Sequence, residues 1–101
     1  MDEMLGKYTR KAESIGALVT SKQQQYGDAF GRSGEILRLL YPEGIAPHQL
    51  DDALAITRII DKLFRIAQRG PDGQDKGGES PFADIAGYGL LGAVKDDERN
   101  A

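Results

Sequence analysis

The chain has 101 residues and a mass of 11.0 kDa, the size of a single domain. It contains no cysteine, no tryptophan and one histidine, which excludes disulfides, thiolate metal sites, thiol nucleophiles and paired catalytic histidines. A net charge of −3 and a pI of about 5.1 argue against non-specific binding to nucleic acid. No apolar run approaches the roughly 18 residues of a membrane span, and the start lacks a signal-peptide pattern. We therefore expect a cytoplasmic protein without membrane contact.

The composition is that of a folded domain, with 40% hydrophobic and 29% charged residues. A chain this short buries a limited core, so helices with an apolar stripe gain stability from a partner subunit. We therefore expect a homo-oligomer.

The first half of the chain is predicted to be helical. Residues 1–8 are expected to be frayed, and apolar residues at spacings of three and four predict a helix from Thr9 to Gln25. The YGD sequence at 26–28 predicts a turn with its glycine in the left-handed conformation. Ser33 is predicted to cap a short helix from Glu35 to Tyr41.

The second half is predicted to contain two longer helices. The stronger one runs from Pro47 to Gly70, with acidic residues near its start and a basic residue in its last turn. A flexible glycine-rich loop is expected at 70–79. Ser80 then caps a helix from Pro81 to about Lys95, and the polar tail 96–101 is expected to be disordered.

No segment alternates in the manner of a strand, so residues 9–95 are predicted to form one all-α domain. Its expected architecture is a small bundle of three longer helices and one short helix. Residues 87–92 match the dinucleotide-binding pattern G-x-G-x-x-G, but they lie inside a predicted helix and follow no strand. We interpret them as small residues that allow a neighbouring helix to approach.

A polar stripe follows one face of the long helix, because Arg58, Asp61, Lys62 and Arg65 are spaced by three and four residues. Its simplest interpretation is a solvated face. Three cations within two turns repel each other, however, unless an anion lies among them. A phosphate group satisfies this, with arginine donating forked hydrogen bonds and lysine acting as a point charge.

Four carboxylates are candidate ligands of a divalent ion: Asp28, Asp61, Glu79 and Asp84. Carboxylate oxygens suit Mg²⁺, which binds one or two carboxylates together with phosphate oxygens. Asp84 also has a structural explanation, since it lies in the first turn of its helix, where the helix dipole favours an acid. Tyr88 follows Asp84 by one turn on the same face and is a candidate ligand contact.

Tyr26 and Asp28 flank the glycine of the YGD turn. They are interpreted either as side chains packed against the turn or as ligand contacts. In the second interpretation Tyr26 stacks on an aromatic ring, and Asp28 binds a sugar hydroxyl or the metal ion.

Three sequence blocks, YGDAF at 26–30, RIIDKLFR at 58–65 and ESPFADIAGY at 79–88, occur in an order that resembles a known family. The family is the nucleotide modification associated domains of small phage and bacterial proteins. The resemblance covers residues 20–95. That family in turn is similar to the MazG-like all-α nucleoside triphosphate pyrophosphohydrolases, in which E-x-x-E and E-x-x-D helices bind Mg²⁺ that activates water.

By this resemblance, Asp61 and Asp84 correspond best to metal-binding positions, with Glu79 as a further ligand from the loop. Bases replace the other acids of the E-x-x-E helix. Arg58, Lys62 and Arg65 have no counterpart there and suit direct contact with phosphate.

The leading hypothesis is therefore a protein that binds a nucleotide or a nucleotide-derived phosphate ligand. It would act in DNA-precursor metabolism or in sequestering a nucleotide signal. The alternatives are a Mg²⁺-dependent pyrophosphohydrolase of the MazG type and a helical interaction module without a ligand.

Overall fold

The chain forms four α-helices in a computed structural model that describes residues 2–71, 73 and 78–101. The helices are α1 (Asp2–Tyr26), α2 (Ala29–Leu40), α3 (Leu50–Ala67) and α4 (Pro81–Arg99), with a 3₁₀ turn over Pro47–Gln49. These ranges contain no strand, which confirms the predicted all-α fold of three longer helices and one shorter helix. No helix within them combines the length and the apolar character needed to cross a membrane.

Helix α3 is central, because α1, α2 and α4 all pack against it. The core around it is small: among the residues whose burial the structure describes, the buried hydrophobic ones are Ala29, Ala53 and Ile60. Pro81, at the start of α4, is also fully buried. Each outer helix therefore owes its position mainly to its contact with α3.

Helices α3 and α4 run antiparallel. At one end the Lys62 ammonium lies 3.3 Å from a carboxylate oxygen of Asp84, and at the other Lys95 lies 3.9 Å from Asp51. The Lys95–Asp51 pair is exposed, and exposed pairs contribute at most about 1 kcal/mol each. These pairs show the register of the two helices, whereas apolar packing supplies the stability.

Helix limits in the first half differ from the prediction. Helix α1 begins at Asp2, so residues 2–8 are helical rather than frayed, while residue 1 lies outside the described residues. Helix α2 begins at Ala29 and not at Glu35, so the predicted cap at Ser33 is wrong. Instead, the Ser33 hydroxyl donates a hydrogen bond to the Ala29 carbonyl inside the helix.

The true cap of α2 is Asp28, whose side chain accepts a hydrogen bond from the Gly31 N–H at 3.3 Å. Asp28 adopts a left-handed conformation, with φ 60° and ψ 40°. Gly27 also has a positive φ, as predicted for the turn. Because the cap lies directly after this turn, α2 starts six residues earlier than the predicted limit.

Limits in the second half also differ. Helix α3 ends at Ala67, before Gly70. Helix α4 continues to Arg99, so residues 96–99 are helical instead of disordered. The Arg99 guanidinium lies 3.7 Å from a carboxylate oxygen of Asp52, which links the last turn of α4 to the start of α3.

The start of α4 is as predicted, since the Ser80 hydroxyl accepts a hydrogen bond from the Ala83 N–H at 3.2 Å. The expected flexible loop at 70–79 falls largely on residues 72 and 74–77, which lie outside the described residues.

The Asp28 cap gives a stability prediction. Replacing Asp28 with alanine removes the cap acceptor and its local hydrogen bond but keeps the β-carbon that disfavours the left-handed conformation, so we expect the free energy of unfolding to fall by about 1–2 kcal/mol. Asp28→Gly loses the acceptor without the steric penalty and is expected to cost less than about 1 kcal/mol. Urea denaturation of both variants measures the difference. Equal losses would show that the left-handed conformation carries no cost.

Candidate functional site

The polar stripe of α3 faces α4 and is solvated only at its Arg58 end. Along it burial increases towards the carboxyl end of α3: Arg58 is exposed, Lys62 is half-buried and Arg65 is only 3% exposed. The antiparallel register explains this gradient, because the carboxyl end of α3 meets the start of α4 and the segment before it. The stripe therefore lines an interface between helices.

Four predicted site residues come together around one ammonium group, and we call Tyr26, Lys62, Asp84 and Tyr88 the Lys62 cluster. Lys62 Nζ lies 3.3 Å from Asp84 Oδ2 and 5.8 Å from the centre of the Tyr26 ring. Tyr88 is one turn beyond Asp84 on α4 and interacts electrostatically with Lys62. The cluster thus joins the end of α1, the middle of α3 and the start of α4.

A second cation lies against the same ring. Lys22 Nζ is 5.7 Å from the centre of the Tyr26 ring, within the range of a cation–π contact. The negative face of the ring offsets part of the repulsion between these two ammonium groups. An anion bound nearby would offset more of it.

The surroundings of Lys62 favour its charged form. Burial lowers the pKa of the Lys62 ammonium, but nearby Tyr26, the hydrogen-bonded Asp84 carboxylate and Tyr88 together outweigh this effect. The pKa is therefore raised above its ordinary value of 10.5. Lys62 consequently keeps its positive charge at neutral pH, as an anion site requires.

Asp61 is in a different environment, although it is next to Lys62 in the sequence. Burial raises the pKa of the Asp61 carboxyl above its ordinary value of 3.8, and the charge of Lys62 only partly opposes this shift. The positive charge of Lys62 therefore does not fully offset the free-energy cost of removing water from the ionised Asp61 carboxylate.

Arg65 holds the segment that leads into α4. Its Nη2 donates a hydrogen bond to the backbone carbonyl oxygen of Glu79. Because Arg65 is buried, its guanidinium positions this segment and is not presented to solvent as the predicted phosphate contact would require. Glu79, whose carbonyl accepts this hydrogen bond, is itself an exposed residue.

An open groove of about 380 Å³ continues from the Lys62 cluster between α3 and α4, and we call it the α3–α4 groove. Its volume lies within the range of small-molecule sites. Arg58 and Tyr88 line it, together with the apolar residues Leu54, Ala55 and Leu91. Arg58 lines the groove, and Lys62 lies one turn further along α3, beside Tyr88, which lines the groove as well.

At the end of the groove away from the Lys62 cluster, basic residues of α4 are paired with acidic residues of α3. Lys95 and Arg99 each lie within 4 Å of carboxylates of α3, Asp51 and Asp52 respectively. Arg99 is also 3.8 Å from Asp96 on its own helix. An anionic group is therefore better placed at the Arg58 and Lys62 end.

Asp28 is engaged away from the Lys62 cluster. Its carboxylate caps α2 and also accepts a hydrogen bond from Gln23 Nε2 at 2.9 Å. The predicted contact of Asp28 with a sugar or a metal would require it to give up this structural role.

The predicted Mg²⁺ ligands do not form a carboxylate cage. Across residues 2–71, 73 and 78–101, no group of three or more acidic or histidine side chains is arranged to hold a metal ion. Asp84 forms an ion pair with Lys62, and Asp61 is partly desolvated. This donor set does not fit a metal centre built from protein ligands alone.

Two groups of the site were missed at the sequence level. Lys22 precedes Tyr26 by four residues on a helix, a spacing that brings side chains together, so this contact could have been found. Lys95 closes the far end of the groove, and its position depends on the antiparallel register of α3 and α4. No local pattern in the sequence reveals that register.

Comparison with protein families, with curated proteins and with solved structures found no match for this chain. The site is therefore interpreted from its own residues.

The environment of Asp61 gives a pH-dependent prediction. A raised pKa in the folded state means that Asp61 contributes stability that is present below pH 3.8 and is lost as the pH rises through the folded-state pKa. Asp61→Asn removes this titration while keeping the shape. We expect the variant to have a higher Tm than the parent at pH 7, and the difference to shrink towards pH 3.5.

Thermal denaturation at fixed protein concentration measures this effect, with Glu43→Gln as a control at an exposed acid. A lower Tm for Asp61→Asn at pH 7 would contradict it.

Proposed function

We propose that this protein binds a nucleotide or a nucleotide-derived phosphate ligand in the α3–α4 groove, beside the Lys62 cluster. One observation carries the proposal: the ammonium groups of Lys22 and Lys62 lie within 6 Å of the centre of the same Tyr26 ring, next to a groove that Arg58 lines. Asp84 pairs with Lys62, and a phosphate beside Lys62 would offset the repulsion that remains among the neighbouring cations.

The phosphate in this proposal lies between Lys62 and Arg58. Lys62 acts as a compact point charge, and the exposed Arg58 guanidinium donates forked hydrogen bonds to two phosphate oxygens. Asp84 shares or gives up its contact with Lys62 when the phosphate arrives. Asp84 thus keeps the ammonium in place before the ligand binds, which lowers the cost of ordering it.

Aromatic and apolar groups provide the rest of the proposed contact. Tyr88 lines the groove, and the Tyr26 ring lies beside Lys62 next to it; either ring can stack on a base. Leu54, Ala55 and Leu91 offer an apolar wall to the base or the sugar. The combination of an apolar wall with a few polar groups is typical of small-molecule sites.

The resemblance to nucleotide modification associated domains also supports the ligand class. The residues that carry it include Tyr26, Lys62, Asp84 and Tyr88, which are the members of the Lys62 cluster. A role in DNA-precursor metabolism or in sequestering a nucleotide signal agrees with this ligand class.

A magnesium-dependent pyrophosphohydrolase has less support, because two-metal hydrolysis uses several convergent carboxylates. Asp61 and Asp84 both interact with Lys62, and Mg²⁺ held by one of them would need phosphate oxygens of the ligand as its other ligands.

Binding is tested by calorimetry with ATP, ADP, AMP, the guanine equivalents and cyclic dinucleotides, each with and without Mg²⁺. We expect at least one of these ligands to bind, and Lys62→Gln to weaken its binding by about ten- to a hundredfold, since a hydrogen bond to a charged group contributes about 1.5–3 kcal/mol. Tyr26→Leu should also weaken binding, through loss of stacking.

Arg38→Gln is the matched control, because it removes an exposed cation from α2 without touching the groove. The Tm of each variant verifies that it remains folded. Absence of binding across the whole panel, or wild-type affinity of a folded Lys62→Gln variant, would refute the proposal. Release of pyrophosphate during the same titrations would favour the hydrolase instead.

A further inference from the structure

Helix α1 lacks a covering layer over most of its length. It spans 25 residues, yet every residue from Lys7 to Gln24 is exposed, and the contact with α3 that its described side chains show is that of Tyr26 with Lys62. Isolated helices in water are marginally stable, and most helices in proteins depend on the packing of an apolar face. Helix α1 therefore needs a surface that this copy of the chain does not supply.

The apolar stripe of α1 marks the face that needs covering. Tyr8, Ala12, Ile15 and Val19 are spaced by four, three and four residues, which places them on one side of the helix. Tyr8 is 65% exposed, Ile15 50% and Val19 53%.

Helix α4 carries a second exposed apolar face. Residues 85–94 contain no charged residue. Ala86 and Leu90 lie about 160° around the helix from Tyr88, which faces α3, so they point away from the α3–α4 groove. With Ala93 and Val94 they form what we call the outer face of α4, on which Leu90 is 68% and Val94 49% exposed.

The total exposed area is larger than a monomer of this size presents. The chain exposes 8042 Å², whereas a folded monomer of 11.0 kDa exposes about 5,600 Å². The excess, about 2,400 Å² per chain, exceeds the roughly 800 Å² that each partner buries in a standard interface and suits an obligate dimer. The radius of gyration, 18.1 Å, likewise exceeds the value of about 13 Å for a compact domain.

Charge indicates which faces meet. Between residues 7 and 22, α1 carries four basic residues and one acidic residue. The end of α4 carries three consecutive acids, Asp96, Asp97 and Glu98. Contact of α1 with α1, or of α4 with α4, would bring like charges together, whereas contact of α1 with α4 brings opposite charges together.

We infer that a second copy of this chain covers both faces: α1 of each copy packs antiparallel on the outer face of α4 of the other copy. The reciprocal contact is two-fold symmetric and therefore closes as a dimer. In the register that places Val19 beside Ala86, Ile15 lies beside Leu90, and Lys11 is about one turn from Asp97. The dimer leaves the α3–α4 groove open. Its formation therefore does not depend on whether the groove binds a ligand.

The contact can be tested by cross-linking, because the chain has no cysteine of its own. Val19→Cys and Ala86→Cys are prepared as separate proteins, mixed and oxidised. We expect a covalent dimer from the mixture and little from either protein alone. A dimer that forms mainly from a single variant would overturn the inference, since it would indicate contact between identical helices.

Sedimentation or light scattering supplies the second measurement. We expect the unmodified chain to have twice the 11.0 kDa mass at micromolar concentration. Leu90→Glu should yield a monomer with reduced helicity, because α1 loses its cover. Leu39→Glu, at a leucine of α2 that is 81% exposed, is the control and should remain dimeric. A monomeric unmodified chain, or a dimeric Leu90→Glu variant, would overturn the inference.

Discussion

The packing of every other helix against α3 is the constraint on which the structure depends. With a core of so few buried apolar residues, centred on Ile60, the chain cannot bury a second layer. Helix α2 packs against one side of α3 and α4 packs against another. Helix α1 contacts α3 at its last turn, where Tyr26 lies beside Lys62. The remaining faces of α1 and α4 are left exposed as a direct result.

The same constraint creates the candidate site. Because α4 returns antiparallel along α3, the cationic stripe of α3 faces the start of α4, where Asp84 and Tyr88 lie. Three basic residues of this stripe have different roles because they are buried to different extents. The deeply buried Arg65 holds the backbone at Glu79, the half-buried Lys62 remains charged beside Asp84, and the exposed Arg58 lines the groove.

Much of this arrangement could be predicted from local patterns. Spacing predicted the helical face that carries Lys62, and turn chemistry predicted the Ser80 cap. The burial of Arg65 could not be predicted. Its spacing from Arg58 and Lys62 groups it with the phosphate contacts but does not show that the segment leading into α4 contacts it. The cap at Asp28 was missed because a left-handed aspartate between two helices is unusual for a residue other than glycine. The Tyr26–Lys62 contact joins residues distant in sequence, so only the tertiary fold brings them together.

The central claim is that the charges gathered around Tyr26 form an anion site. NMR maps it most directly, by titrating ATP and ADP into the isotopically labelled protein and following the backbone and side-chain signals. We expect the largest shifts at Tyr26, Arg58, Lys62 and Tyr88, with loss of these shifts in Lys62→Gln. Shifts confined to the basic residues near the start of α1, or no shift at millimolar nucleotide, would contradict the claim.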